Sequence, residues 1–310
     1  MMFQRNILLS KFSSYRIGGP AKYFFEARNL SELQLALKEA EKINEKVFIL
    51  GGGTNILFRD EGFDGIVIKI SLSYIRQIDS DLLIVGAGAQ IKELLDYCID
   101  NSLSGWEWAG GLPGTLGGAI RGNAGAFGGE TKDGILQVIS LDKKDPDKFI
   151  IRNNNECFFS YRDSIFKKSA VDEIILEAKL AVKKGDKEII KSAIEEKINY
   201  RFERNPMDYP NCGSVFKNVD LKIFPSKFLP LVKNEIKTDP FPVVPAAFLI
   251  SECGLKGVKE GGAMISSKHP NFIINYSNAT AYDVRQLIRL VKEKVYDKFE
   301  VVLEEEIIIL

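Results

Sequence analysis

Two periodicities run along this chain. In "SELQLALKEAEKIN" the apolar positions Leu33, Ala36, Leu37 and Ala40 recur at three- and four-residue intervals, which predicts a helix with one buried face. Ser31 with Gln34 predicts a capping box at its start. "QIKELLDYCIDNS" reads as a second helix. The short apolar runs "KVFIL", "GIVIKI", "LLIVGAGA", "GILQVISLD" and "IILEAKLAV" read as strands. The composition then changes. "KEIIKSAIEEKINYRFERNP" is a charged helix stopped near Asn205 and Pro206, and a proline-rich connection follows. Thr280 and Asp283 cap a last helix whose apolar face is Val284, Leu287, Ile288, Val291 and Val295. "VVLEEEIIIL" reads as a closing strand, and the main boundary is expected near Lys184.

Glycine interrupts this pattern twice. "GGGTN", 51–55, follows the run Val47 to Leu50; bare amides there can close on a phosphate, with the Thr54 hydroxyl and Asn55 amide as added donors. No Gly-Lys-Ser/Thr follows, and "GAGAQI" at 86–91 lacks the third glycine of a dinucleotide fingerprint. The second stretch, "GLPGTLGGAIRGNAGAFGGE", holds eight of the chain's 26 glycines and only two charged side chains, Arg121 and Glu130. A solvated linker would be richer in serine and charge. Tight turns or close packing at a domain junction would explain either loop alone. Both together point to a large flat ligand bearing a diphosphate.

Composition narrows the function classes. Lysine plus arginine balances aspartate plus glutamate at 42 each, so no global basic field suggests nucleic acid or a membrane surface. No apolar run approaches the roughly 20 residues of a spanning helix, and the start shows no secretory pattern, so a cytoplasmic protein is expected. Cys98, Cys157, Cys212 and Cys253 form no CxxC pair, and His269 is the single histidine. No metal is expected, and the chemistry should rest on a cofactor or on carboxylates, hydroxyls and lysines.

The residues "SSYRIGGPAKYFFEA", "ILGGGTNIL" and "WAGGLPGTLGGAIRGNAGAFGGE" resemble the flavin-binding half of the UDP-N-acetylenolpyruvoylglucosamine reductase family. "SYRDSIFK", "RFERNPMDYPNCGSVFKN", "ECGLKG", "GGAMISSKHPNFIIN" and "FEVVLEEEI" continue the likeness in order. The resemblance implies an α+β protein. A two-subdomain, PCMH-like FAD-binding region is expected over 1–184 (about 1–70 and 71–184), with an α+β substrate-binding domain over 185–310. It implies noncovalent FAD and NADPH as hydride donor. It also implies a cytoplasmic, monomeric enzyme of peptidoglycan precursor synthesis, with no nucleic acid or membrane partner, that reduces UDP-N-acetylglucosamine enolpyruvate to UDP-N-acetylmuramate.

Site residues carry over by motif. The flavin is expected at Gly51, Gly52, Gly53, Thr54 and Asn55. It is also expected at Gly110, Gly111, Pro113, Gly114, Thr115, Gly117, Gly118, Ala119, Gly122, Asn123, Ala124, Gly125 and Ala126. The resemblance makes Ser214 the proton donor, although by spacing alone it is a turn or cap residue after Gly213, and Cys212 is a rival by proximity. It places Arg162 against the substrate carboxylate and the flavin, a role suited to a planar guanidinium. Period-two alternation puts Glu304 and Glu306 on one face and cannot choose between them; the family pattern selects Glu306. Arg204, Lys217, Asn218, Lys256 and His269 are the substrate candidates.

Some positions depart from the family. Arg204 stands where lysine is usual, and the stretch 219–245 matches poorly. "KKSAVDEIILEA" leaves no room for the tyrosine loop that some members use to close on the nucleotide, so the proline-rich stretch is expected to act as the lid. A flavoenzyme with another substrate, or a flavin- or nucleotide-binding regulator without turnover, would share the glycine loops but not the later motifs.

Overall fold

The computed structural model describes residues 2–168 and 170–310. They form two compact units, each threaded by several passes of the chain. Unit 1 comprises Met1–Ile7, Ala21–Gly52 and Asp64–Arg201; unit 2 comprises Leu8–Pro20, Gly53–Phe63 and Phe202–Leu310.

Unit 1 carries two large sheets among the described residues. One has four strands in the order Gln4–Leu8, Pro20–Ala27, Phe63–Ile70, Val47–Leu50, the last two parallel. Ile66, Val67 and Ile68 are consecutive yet fully buried, as expected of a strand covered on both faces. The other is an antiparallel sheet in the order Phe149–Asn153, Ile135–Asp142, Glu173–Ala181, Leu82–Gly86, Ile75–Asp79.

The helix Leu30–Lys42 buries the expected Leu33, Ala36, Leu37 and Ala40. Its cap differs from expectation: Asn29, not Ser31, takes the Glu32 amide, and Glu32 reaches back to the Arg28 amide. Both bonds form two residues earlier, so the helix starts there.

The glycine-rich stretch is more ordered than a loop. Leu116–Gly122 is a helix capped by the Thr115 hydroxyl and closed by Asn123 in the left-handed conformation. Glycine is a poor helix former, but Leu116, Ala119 and Ile120 are buried and hold the turn against the unit 1 core.

The charged helix Lys187–Arg204 was expected to open the second domain. Its packing places it, through Arg201, in unit 1. Ile190 and Ile194 enter the unit 1 core, and the Arg201 Nε donates to the Gly110 carbonyl at 2.8 Å. The expected boundary at Lys184 therefore falls inside unit 1. Sequence order also hides that 8–20 and 53–63 pack with the C-terminal part of the chain.

Unit 2 is built on the helix Ala281–Phe299. Thr280 and Asp283 form the expected capping box, and Val284, Leu287, Ile288, Val291 and Val295 are buried. An antiparallel sheet joins Lys259–Glu260, Ala263–Ile265 and Ile273–Asn275. At the chain's end only Ile308–Ile309 is regular strand, paired in parallel with Ile56–Leu57. The proline-rich stretch does not hang free: Phe224 and Val232 are buried in the core, and Phe228 packs on Phe299 at 5.8 Å. That anchoring argues against its swinging as a whole as a lid. No helix among the described residues is long and apolar enough to cross a membrane.

Candidate active site

The two glycine stretches meet in unit 1. A Cβ on Gly52 would lie 2.8 Å from the Gly114 Cα, and one on Gly51 would lie 2.8 Å from the Thr115 Oγ1. The loops thus cross backbone to backbone. The amides of Gly51, Gly52, Gly111 and Gly114 donate to no backbone acceptor among the described residues. A cluster of unbonded donors on bare backbone is the arrangement that takes a diphosphate, and it fits the phosphates of FAD.

Other glycines are bare for a different reason. A Cβ on Gly110 would meet the Ile194 carbonyl oxygen at 2.6 Å, and one on Gly117 would meet the Ala87 Cβ at 2.9 Å. Close packing alone would require glycine at these positions. At Gly122 a Cβ would meet nothing within 4 Å, so space is left open there. Asn123 is fully buried, and its side chain donates to the Ser160 carbonyl at 2.9 Å and accepts from the Lys132 amide at 3.0 Å.

Those contacts tie Arg162 to the glycine stretch. Ser160 and Asp163 exchange backbone hydrogen bonds of 3.0 and 3.1 Å, closing a two-residue turn with Tyr161 and Arg162 at its tip. The Ser164 hydroxyl adds a bond of 2.7 Å to the Arg121 carbonyl. Arg162 sits at φ 54°, a left-handed conformation that a long side chain adopts at a cost of order 1–3 kcal/mol. Its Nη1 lies 3.3 Å from where a Gly125 Cβ would be.

Ser214 and the terminal glutamates come together in unit 2. The Glu306 amide donates to the Val215 carbonyl at 2.7 Å, the Lys217 amide donates to the Glu304 carbonyl at 2.9 Å, and Phe216 bridges Glu305. The Asn55 side chain donates to the Glu306 carbonyl at 3.1 Å, and its own carbonyl accepts the Ile308 amide at 3.0 Å. The Asn55 amide group is thus engaged by the chain terminus. Ahead of Ser214, the Asn211 Oδ1 accepts the Gly213 amide at 3.0 Å, and Gly213 takes φ 84°. The Ser214 hydroxyl is half-exposed and bonds to none of the described residues.

The glutamates differ in surroundings. Glu305 holds Lys292 at 3.0 Å, and Glu304, 71% exposed, holds Lys217 at 3.1 Å. Glu306 is half-buried. Cys212 is 4% exposed, and burial pushes its thiol well above the ordinary range.

Among the substrate candidates, Arg204 and Lys256 are exposed, and the Asn218 Oδ1 accepts the Ala246 amide at 3.1 Å. His269 is not a cation at neutral pH. Burial, with the charges of Lys237 and Lys256 nearby, pushes its pKa down to about 4, and its Nδ1 is buried without a partner. It can offer only a neutral ring. Sequence reasoning passed over Lys237, which lies in the poorly matched stretch, and the buried Asn271.

The glycine crossing in unit 1 suits a diphosphate-bearing cofactor, and the similarities to known proteins give the class: an FAD-dependent oxidoreductase. Residues 21–145 match the FAD binding domain family, and residues 205–310 match the C-terminal domain of UDP-N-acetylenolpyruvoylglucosamine reductase. The chain is 38% identical to UDP-N-acetylenolpyruvoylglucosamine reductase of Caldanaerobacter subterraneus subsp. tengcongensis over 96% of this chain and 90% of that protein. It is 39% identical to that of Thermosipho melanesiensis over 95% and 91%. The crystal structure of the Thermus caldophilus enzyme superposes with a TM-score of 0.77 at 29% identity, covering 99% of both chains. The chain belongs to the UDP-N-acetylenolpyruvoylglucosamine reductase family, and its α+β, FAD-binding architecture is that family's.

Proposed function

We propose that this chain reduces the enolpyruvyl group of UDP-N-acetylglucosamine enolpyruvate, giving UDP-N-acetylmuramate. When bound, FAD supplies the two-electron chemistry: hydride taken from NADPH and delivered to the methylene carbon. The amides of Gly51, Gly52, Gly111 and Gly114 hold its diphosphate. Arg162 holds the substrate carboxylate with two parallel donors. The Ser214 hydroxyl protonates the neighbouring carbon, and Glu306 stabilises the enol form. Lys256, Arg204 and the neutral His269 ring take the substrate diphosphate.

The observation that carries this reading is the pairing of the Ser214 segment with the Glu306 segment. The hydroxyl is left unbonded beside a segment whose backbone is otherwise fixed. A poor acid serves here because the carbon it meets, left electron-rich by hydride addition, is a far stronger base than a stabilised alkoxide. Such acid catalysis is worth ~10²–10⁴-fold. Cys212 is the weaker rival because its thiol is buried.

The test is a half-reaction pair. The purified protein should be yellow and bleach anaerobically with NADPH. It should then recover its colour with UDP-N-acetylglucosamine enolpyruvate while forming product. Bleaching without recovery would point to a different substrate, and a colourless protein that takes up no FAD would overturn the reading.

A further inference from the structure

Ser214 has no side-chain anchor of its own, so its place depends on the backbone that follows it. That backbone is gripped on both edges. The segment 304–306 takes one edge, through the Val215 carbonyl and the Lys217 amide. On the other edge stands a single residue. The Asn271 carbonyl accepts the Val215 amide at 2.8 Å, its Oδ1 accepts the Phe216 amide at 3.0 Å, and its Nδ2 donates to the Phe216 carbonyl at 2.8 Å. One side-chain amide thus does the work of a neighbouring strand, meeting both polar groups of one residue.

Asn271 is itself fixed. It is 3% exposed, in a loop closed by the Ser266 hydroxyl, which accepts the Lys268 and His269 amides at 3.1 and 3.2 Å. Ser266 and Phe272 close the same loop backbone to backbone at 2.8 Å. A buried amide hydrogen-bonded through both its oxygen and its nitrogen rigidifies what it touches, and losing it leaves two buried backbone groups unpaired.

We infer that Asn271 is a positioning residue for Ser214, setting the proton donor's place through the backbone of Val215 and Phe216. This rests on the proposed role of Ser214. It assigns Asn271 to the protonation step and not to flavin reduction.

The test compares the two half-reactions of the FAD-loaded protein in wild type, Asn271→Ala and Asn271→Asp. For Asn271→Ala, bleaching by NADPH and FAD retention should stay near wild type. Reoxidation by the enolpyruvate substrate should fall about 10²-fold, the scale of a 1 Å misplacement. Its solvent deuterium isotope effect should rise as proton transfer becomes limiting. Asn271→Asp supplies the conservative rescue. The ionised carboxylate faces the Phe216 carbonyl without a donor, whereas the protonated acid regains both bonds. Its reoxidation rate should therefore climb toward wild type as pH falls, over a range where wild type does not climb.

Wild-type reoxidation with Asn271→Ala unchanged overturns this inference alone. Parallel loss of bleaching and reoxidation overturns it too, by making Asn271 a residue of general folding. If Asn271→Ala does not fold, absence of acid recovery in Asn271→Asp overturns it. Failure of the wild type to reoxidise overturns the proposed function and this role together.

Discussion

The Glu306 amide donates to the Val215 carbonyl at 2.7 Å, one residue beyond Ser214. The chain's last residues and a turn nearly a hundred positions earlier are thereby set side by side. Asn55 reinforces the pairing from a third part of the sequence.

Ser214→Ala should bleach with NADPH at the wild-type rate and lose ~10²–10⁴-fold in reoxidation by substrate, the range of a general acid. Cys212→Ala should change reoxidation little, because that thiol is 4% exposed. Stopped-flow absorbance of the flavin reads both steps. Full reoxidation in Ser214→Ala would move the acid elsewhere.

Gly52→Ala and Gly122→Ala should differ in kind. The first places a Cβ 2.8 Å from the Gly114 Cα and should lower both thermal stability and FAD affinity. The second meets no protein atom within 4 Å and replaces a helical glycine, so stability should hold or rise by up to about 1 kcal/mol. Its FAD affinity should fall if the open space receives the cofactor. Thermal melts with and without FAD, and flavin fluorescence titration, separate the cases.

Arg162→Gly should trade stability against function. Glycine adopts φ 54° without strain, so the denaturation midpoint should hold or rise. Reoxidation by substrate should collapse with the guanidinium. A clear loss of stability would show that the arginine's contacts outweigh its backbone strain.

His269 gives a pH signature. Its folded pKa of about 4 lies below the ordinary 6.5, so the unfolded chain binds the proton first as pH falls. Stability is therefore full above about 6.5 and declines between that value and about 4, by at most roughly 3 kcal/mol if the whole shift counts. Urea denaturation from pH 7 to pH 4 should show the decline, and His269→Gln should remove it. A slope that survives in the variant would assign it to carboxylates.

Much of the site was legible. Ser214, Arg162 and the glycine stretches stand in long motifs, and the helix faces of 30–42 and 281–299 follow from period alone. The reason for the glycines was not legible. Sequence suggested backbone bared for a flat ligand, while at Gly110 the helix 187–204 and at Gly117 the residue Ala87 would by themselves exclude a side chain. A missing side chain leaves the same trace whichever neighbour excludes it. The domain boundary was hidden likewise, since the helix Lys187–Arg204 is mostly polar and its unit 1 contacts, among them Ile190, Ile194, Ile198 and Arg201, leave little apolar pattern.

The sequence by itself determined which residues could do chemistry: a serine after glycine, an arginine after tyrosine, glutamates near the terminus, and one histidine. Those follow from side-chain type and local spacing. Only the tertiary structure decided which of them lie on hydrogen-bonded neighbouring segments, that His269 is held neutral, and that Asn271 takes the place of a neighbouring strand for the residues after Ser214. Hydrogen-bond partners and desolvation depend on residues far apart in the chain, and no local pattern encodes them.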